Sequence, residues 1–105
     1  MIVSELQECL NKNPLSLLYF STPNCNVCKV LRPKVEAFIA VESDWKFQYI
    51  NTEDSLEIAG QYLVFAVPTL LLMVEGREAG RFSRHFSMGE LESQIQRYSH
   101  LYQGR

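Results

Sequence analysis

Seven consecutive residues, Leu15 to Ser21, form an apolar run rich in strand formers, without the polar–apolar alternation of a strand that faces water on one side. A run of that kind is expected of a strand buried on both faces, so the chain must supply a layer above it and a layer below. Turn signals bound it: Asn13-Pro14 before, Thr22-Pro23-Asn24 after.

The flanking segments carry the periodicity of the covering layers. Ser4-Glu5-Leu6-Gln7 has the form of a capping box, with Ser4 as the cap of a short helix to about Asn11. From Asn26 to about Val41, the residues Val27, Val30, Leu31, Val35, Phe38 and Ile39 recur at helical spacing. Pro33 lies inside that helix and is expected to kink it. Lys46 to Asn51 alternates Phe47 and Tyr49 with Lys46 and Gln48, a second strand. Asp54-Ser55-Leu56-Glu57 opens a short helix to about Tyr62. Thr69 to Val74 is a third strand, Glu75-Gly76-Arg77 a tight turn, and Glu78 to Ser83 a fourth strand. Ser87-Met88-Gly89-Glu90 caps a last helix with Leu91, Ile95 and Tyr98 on one face and Leu101 as a further candidate. The order α, β, α, β, α, β, β, α predicts parallel crossovers plus one antiparallel pair at Gly76. The expected fold is α/β: one domain over residues 1–105, a four-stranded mixed sheet with helices on both faces.

Charge narrows the function. The net charge is −2 and the lysines and arginines are scattered, so no phosphate-binding surface is indicated and nucleic acid is not the expected ligand. Met1 to Leu10 has no basic flank followed by an apolar run, so it does not read as a signal peptide. The most apolar stretch, Tyr62 to Val74, contains Pro68 and is shorter than the roughly 20 residues a membrane helix needs. A cytoplasmic protein that does not enter a membrane is expected.

Three cysteines are present: Cys9, Cys25 and Cys28. They read as a reactive pair plus a bystander rather than a disulfide scaffold. Cys25-Asn26-Val27-Cys28 follows the buried strand and opens a helix. The first turn of a helix has unpaired N–H groups and the positive end of the dipole, which stabilise a thiolate. Cys25, at the open end, is the expected attacking thiol. Cys28, one turn deeper, is the expected resolving thiol, and Lys29 adds positive charge nearby. A C-x-x-C can also be half of a zinc site or an inert pair. Zinc needs two further ligands; Cys9, His85 and His100 are the other soft candidates, and none shows paired spacing, so no metal is expected. Cys9 reads as a small buried hydrophobe, Trp45 as packing, and His85 and His100 as solvated. Glu53, Asp54 and Glu57 read as a helix N-terminus. Phe65 reads equally as a core residue or a substrate contact.

The strand Leu17-Leu18-Tyr19-Phe20, the segment Cys25-Asn26-Val27-Cys28-Lys29, Pro33 five residues beyond Cys28, and Val67-Pro68-Thr69-Leu70-Leu71-Leu72 before the Gly76 turn together resemble the thioredoxin family. The resemblance covers nearly the whole chain, though the family's usual first strand is missing or very short. It implies a thioredoxin-like fold and thiol–disulfide exchange at Cys25 and Cys28. It also implies a cis-proline at Pro68 facing that pair, and a peptide groove bordered by Asn24, Asn26, Val27, Val67, Pro68 and Thr69. Protein disulfides are the implied substrates and a thioredoxin-reductase-type protein the implied electron donor. The resemblance calls for no prosthetic group, and a monomer is expected. Two further readings stay open: a redox sensor, and a non-catalytic binding module that uses the Pro68 groove.

This chain departs from the family pattern at several places. Asn24 stands where a tryptophan is usual, and Asn26-Val27 where Gly-Pro is usual. The family's buried acid falls at Tyr19, and the lysine often near it at Phe47 or Gln48. Neither position supplies a base at neutral pH, so the expectation is either slow release by Cys28 or assistance from a water or a substrate group. A glycine beside the family's active site is replaced near Arg84.

Overall fold

A computed structural model describes every residue except Ser43, Arg84, Gly104 and Arg105. The replacement read at Arg84 therefore lies outside the described residues. The elements in chain order are α1 (Val3–Lys12), β1 (Leu15–Ser21), α2 (Asn26–Val41), β2 (Lys46–Asn51), α3 (Leu56–Gln61), β3 (Thr69–Val74), β4 (Arg77–Ser83) and α4 (Met88–Gln103). They form one four-stranded sheet in the order β2-β1-β3-β4. All seven residues of β1 are buried, as its unbroken apolar run requires. β3 is buried over five of its six residues, while the edge strands β2 and β4 are more open.

Alternate residues of the central strands feed two cores. Leu15, Leu17, Tyr19, Leu70 and Leu72 pack with Cys28, Val35 and Ile39 of α2 and with Leu91 and Ile95 of α4. Leu18, Phe20, Leu71 and Met73 pack on the opposite face with Leu6 and Leu10 of α1 and with Ile58 and Ala59 of α3. Helices thus cover both faces, and the four-stranded mixed sheet stands as expected. Among the described residues, no helix is long and apolar enough to cross a membrane.

Several local expectations need correction. α1 begins at Val3, not after Ser4: the N–H of Ile2 donates to Oε1 of Glu5 at 2.8 Å, so Glu5 closes the first turn. That start aligns Val3 with Leu6 and Leu10 on the face that meets the core. On α4, Leu101 points outward, and Ser99 and Tyr102 continue the inner face of Leu91 and Ile95. Ser99 is buried there because its Oγ accepts the Nε1–H of Trp45 at 2.6 Å. Ser87 caps α4 as read, its Oγ accepting the N–H of Glu90 at 3.1 Å. Cys9 is half-buried rather than buried.

The largest correction concerns strand direction. β1 and β2 are parallel, but β3 runs antiparallel to β1, and β4 antiparallel to β3. β2 therefore connects to β3 without a full crossover. The chain leaves β2 at Asn51, passes through the six-residue α3, and enters β3 at Thr69, all at one end of the sheet. α3 stops in a Schellman arrangement: Val64 N–H donates to Ala59 O and Leu63 N–H to Gly60 O, with Leu63 at φ 56°. Arg81 of β4 holds that end, donating to the carbonyls of Leu63 (3.0 Å) and Tyr62 (2.6 Å) while paired with Glu78. The β3–β4 hairpin closes through Glu75 (φ 51°) and Gly76 (φ 81°), the two positive values that a type I′ turn needs.

Leu71→Ala removes a fully buried side chain between the sheet and α1/α3 and is expected to lower stability by about 2–5 kcal/mol in urea unfolding. Leu101→Ala, on the outer face of α4, should change it by less than about 0.5 kcal/mol.

Candidate active site

Cys25 is the cap of α2, at the end of the sheet where β1 stops and β3 starts. Its sulfur accepts the N–H of Cys28 at 3.2 Å, one of the helix-end donors that have no partner within the helix. Its carbonyl accepts the N–H of Lys29. Cys25 and Cys28 are joined as a disulfide, with Cα atoms 5.2 Å apart. Cys25 is half-exposed and Cys28 is buried. Two intervening residues bring the sulfurs together because the first turn of the helix closes between them.

The antiparallel entry of β3 brings Pro68 to the same place, and the Val67–Pro68 bond is cis. Cys25, Asn26, Val27, Val67, Pro68 and His85 line one cavity of about 420 Å³. His85 is exposed, as expected of a solvated side chain, and it also lies on this groove because β4 ends there. Of the other residues read as groove-bordering, Asn24 is exposed in the turn before Cys25 and does not line the cavity. Thr69 is buried, with Oγ1 donating to Ala66 O at 2.6 Å and lying 3.2 Å from Ser83 Oγ. It braces the Pro68 loop from behind.

A second, more apolar hollow of about 570 Å³ adjoins the first through Asn26 and Val27 and continues along Val30, Leu31, Phe86 and Met88. Val27 and Val30 are each more than 60% exposed, so the outer edge of α2 that had counted toward helical periodicity is surface. Phe65 is 86% exposed, which removes the core reading for it; it lies on a separate hollow beside Val67.

Beneath Cys28, the Tyr19 hydroxyl donates to the Cys28 carbonyl at 3.0 Å in a fully buried setting. Burial pushes the Tyr19 phenol up to about 12, with the Arg32 charge opposing. At neutral pH it is therefore a donor and not a base. Opposite Tyr19 on β2 stands Tyr49, stacked at 6.2 Å between ring centroids, with Phe47 at 5.7 Å. Gln48 points to the other face, where its Oε1 lies 3.7 Å from Cys9 Sγ. The pocket that the family fills with an acid and a lysine is filled here by three aromatic rings. Arg32 lies over two of them, its Cζ 4.0 Å from the Tyr49 centroid and 6.0 Å from that of Phe47, and its Nε donates to Glu36 at 2.7 Å. The sequence does carry a signal for Arg32, which is four residues from Cys28 and on the same helical face. Among the described residues, no three His, Cys, Asp or Glu side chains converge as a metal site would require.

Comparison with known proteins agrees with this geometry. The family model described as Thioredoxin matches residues 2–97. The chain is 32% identical over 99 residues to "Thioredoxin-like protein YdfQ" of Bacillus subtilis, covering 94% of this chain and 88% of that protein. It is 31% identical over 93 residues to a thioredoxin of Porphyra purpurea, covering 88% and 87%. Thioredoxin 1 of Thermosipho africanus superposes with a TM-score of 0.77 at 32% identity, over 84% of this chain and 98% of that one. A thioredoxin of Fasciola hepatica superposes at 0.85 and 28% identity, over 91% and 93%.

Tyr19→Phe deletes the hydroxyl and its bond to Cys28 O, and is expected to cost about 0.5–1.5 kcal/mol in chemical unfolding at neutral pH. The pH dependence has a definite sign. A phenol raised from about 10 holds its proton more tightly in the folded chain, so its contribution is complete below about pH 10 and is lost as pH rises through about 12. Unfolding measured across that alkaline window should show the loss in the unsubstituted chain and lack this component in Tyr19→Phe.

Proposed function

The chain belongs to the thioredoxin family, and on that premise we propose that it is a thiol–disulfide oxidoreductase exchanging electrons with protein disulfides through Cys25 and Cys28. The observation that carries the reading is the asymmetry of the pair. Cys25 is half-exposed on a cavity shared with Val67 and Pro68, while Cys28 is buried one turn into the helix.

The exchange runs in two displacements. The Cys25 thiolate, favoured by the N-terminus of α2, attacks one sulfur of a substrate disulfide, and the other substrate sulfur leaves as thiolate. A Cys25–substrate disulfide forms. The Cys28 thiolate then attacks Cys25 Sγ, the Cys25–substrate bond breaks, and the second substrate thiolate departs. The two thiols of the protein lose two electrons as the substrate disulfide gains them. Asn26, Val27, Val67 and Pro68 border the cavity that receives the substrate chain, and His85 joins them. Asn24 acts at the approach to Cys25, and Thr69 by holding the Pro68 loop. This reading includes a monomeric, cytoplasmic protein and a reductase of the thioredoxin-reductase type to return the pair to the dithiol, since the cytosol keeps such pairs reduced.

Equilibration in dithiothreitol redox buffers, followed by mass-labelled alkylation, tests the proposal. Reversible closure of the pair is expected, with Cys25 alkylated before Cys28 in the reduced chain. Cys25→Ser should abolish reduction of a model protein disulfide. Cys28→Ser should accumulate a mixed disulfide on Cys25, seen as a mass adduct that added dithiothreitol removes. Closure without turnover would replace the oxidoreductase by a sensor. Thiols that stay reduced in oxidising buffer would leave the binding module.

A further inference from the structure

Substrate release requires Cys28 as a thiolate, because the thiolate is the attacking species. Cys28 is buried, and burial opposes that ionisation. Its nearest polar neighbour from the sheet does not relieve this: Tyr19 donates into the Cys28 carbonyl and keeps its proton at neutral pH. Among the described residues, the titratable and charged groups near Cys28 come from the sheet and from α2 itself. β1 and β2 present the hydroxyls of Tyr19 and Tyr49; α2 presents Cys25, Lys29 and Arg32, the last with Glu36 as its counter-charge.

Of the two cations that α2 presents here, Arg32 has its position held by contacts on both sides. It follows Cys28 by one helical turn, so both lie on the same face of α2. Its Nε donates to Glu36 Oε1 at 2.7 Å, and its guanidinium lies 4.0 Å from the centroid of Tyr49 and 6.0 Å from that of Phe47. Cys28, Arg32 and Tyr49 line one hollow of about 190 Å³, separate from the Pro68 groove. Its stacking on the rings and its bond to Glu36 hold the guanidinium beside this hollow.

We propose that Arg32 is a positioning residue for the second displacement: its fixed charge favours the Cys28 thiolate and so speeds release of substrate from Cys25. The proposal rests on the oxidoreductase reading. In the step concerned, the Cys28 proton passes to solvent, the Cys28 sulfur bonds to Cys25 Sγ, and the electron pair of the broken Cys25–substrate bond leaves with the substrate sulfur. The expected size is modest. Lowering the thiol by one pKa unit raises the thiolate fraction about tenfold at neutral pH, while lower nucleophilicity returns part of it, for a net gain of about threefold. Above the titration range, where Cys28 is fully ionised in either case, the sign reverses and the less basic thiolate is the slower one.

The test follows a neutral chromogenic dipyridyl disulfide reacting, one equivalent per chain, with the reduced full-length protein carrying Cys9→Ser. Attack by Cys25 releases one thiopyridone, and closure by Cys28 releases a second, so the two displacements are read separately. In Arg32→Met the second release should be about threefold slower at neutral pH, its pH midpoint higher and its alkaline plateau undiminished, with the first release unchanged. Arg32→Lys, which keeps the charge, should recover most of the rate. High salt should slow the second release of the unsubstituted chain at neutral pH, a reading that requires no folded variant. An unchanged second release, an equal slowing at every pH, or indifference to salt overturns the role of Arg32 while leaving the exchange reading intact. No second release in the unsubstituted chain overturns the exchange reading and the role of Arg32 with it.

Discussion

The antiparallel ladder between β1 and β3 is the contact on which the remaining architecture depends. Its register pairs Leu15 with Val74 and Phe20 with Thr69, and Leu17, Leu18, Leu70, Leu71 and Leu72 within it are fully buried. Because side chains alternate along a strand, a slip of β3 by one residue along β1 would turn β3 over: Leu70 and Leu72 would leave α2 and α4 for α1 and α3. The same ladder sets the site. Where β1 ends, the chain turns to Cys25; where β3 begins, it has just passed Val67-Pro68. Antiparallel pairing places that end beside that beginning, so the disulfide and the cis-proline line one cavity.

Tyr19 shows how packing and chemistry constrain each other at this spot. It lies on the central strand under α2, where a charge is costly and a ring is welcome. Filling the space with Tyr19, Phe47 and Tyr49 strengthens the core and places at Cys28 O a phenol that keeps its proton at neutral pH. The hydroxyl is satisfied by the Cys28 carbonyl, so it rigidifies the resolving turn and does not titrate there. A cation on α2, lying over the rings, is compatible with that apolar stack in a way that a buried carboxylate is not.

α2 divides its apolar residues between two tasks. Val35 and Ile39 are buried against the sheet, with Leu31 and Phe38 partly so, while Val27 and Val30 open onto the surface beside Cys25. A helix whose apolar positions exceed the width of one buried stripe has surplus on its flanks, and here the surplus adjoins Phe86 and Met88 from the start of α4. The surroundings of the pair are thus apolar on one side and shaped by Val67, Pro68 and His85 on the other.

The order of the elements, the central position of the Leu15–Ser21 strand, the capping of α4 at Ser87 and the Cys25/Cys28 pair at a helix start were all legible in the chain. Each depends on residues close in sequence: apolar period, turn formers, and a cap three residues from its partner. The same local signals misplaced the start of α1, because Ser4 offers a capping side chain while the observed start uses Glu5 on the N–H of Ile2. Leu101, a further candidate for the inner face of α4, is exposed, and Tyr102 takes that place. The direction of β3, the presence of His85 on the groove, the brace from Thr69 to Ala66 and the seating of Arg32 over Tyr49 were decided by tertiary structure alone. These are contacts between residues distant in the chain, and no local period encodes whether a strand returns parallel or antiparallel. The antiparallel return of β3 beside β1 is what turned a cysteine pair at a helix start into a site with a groove.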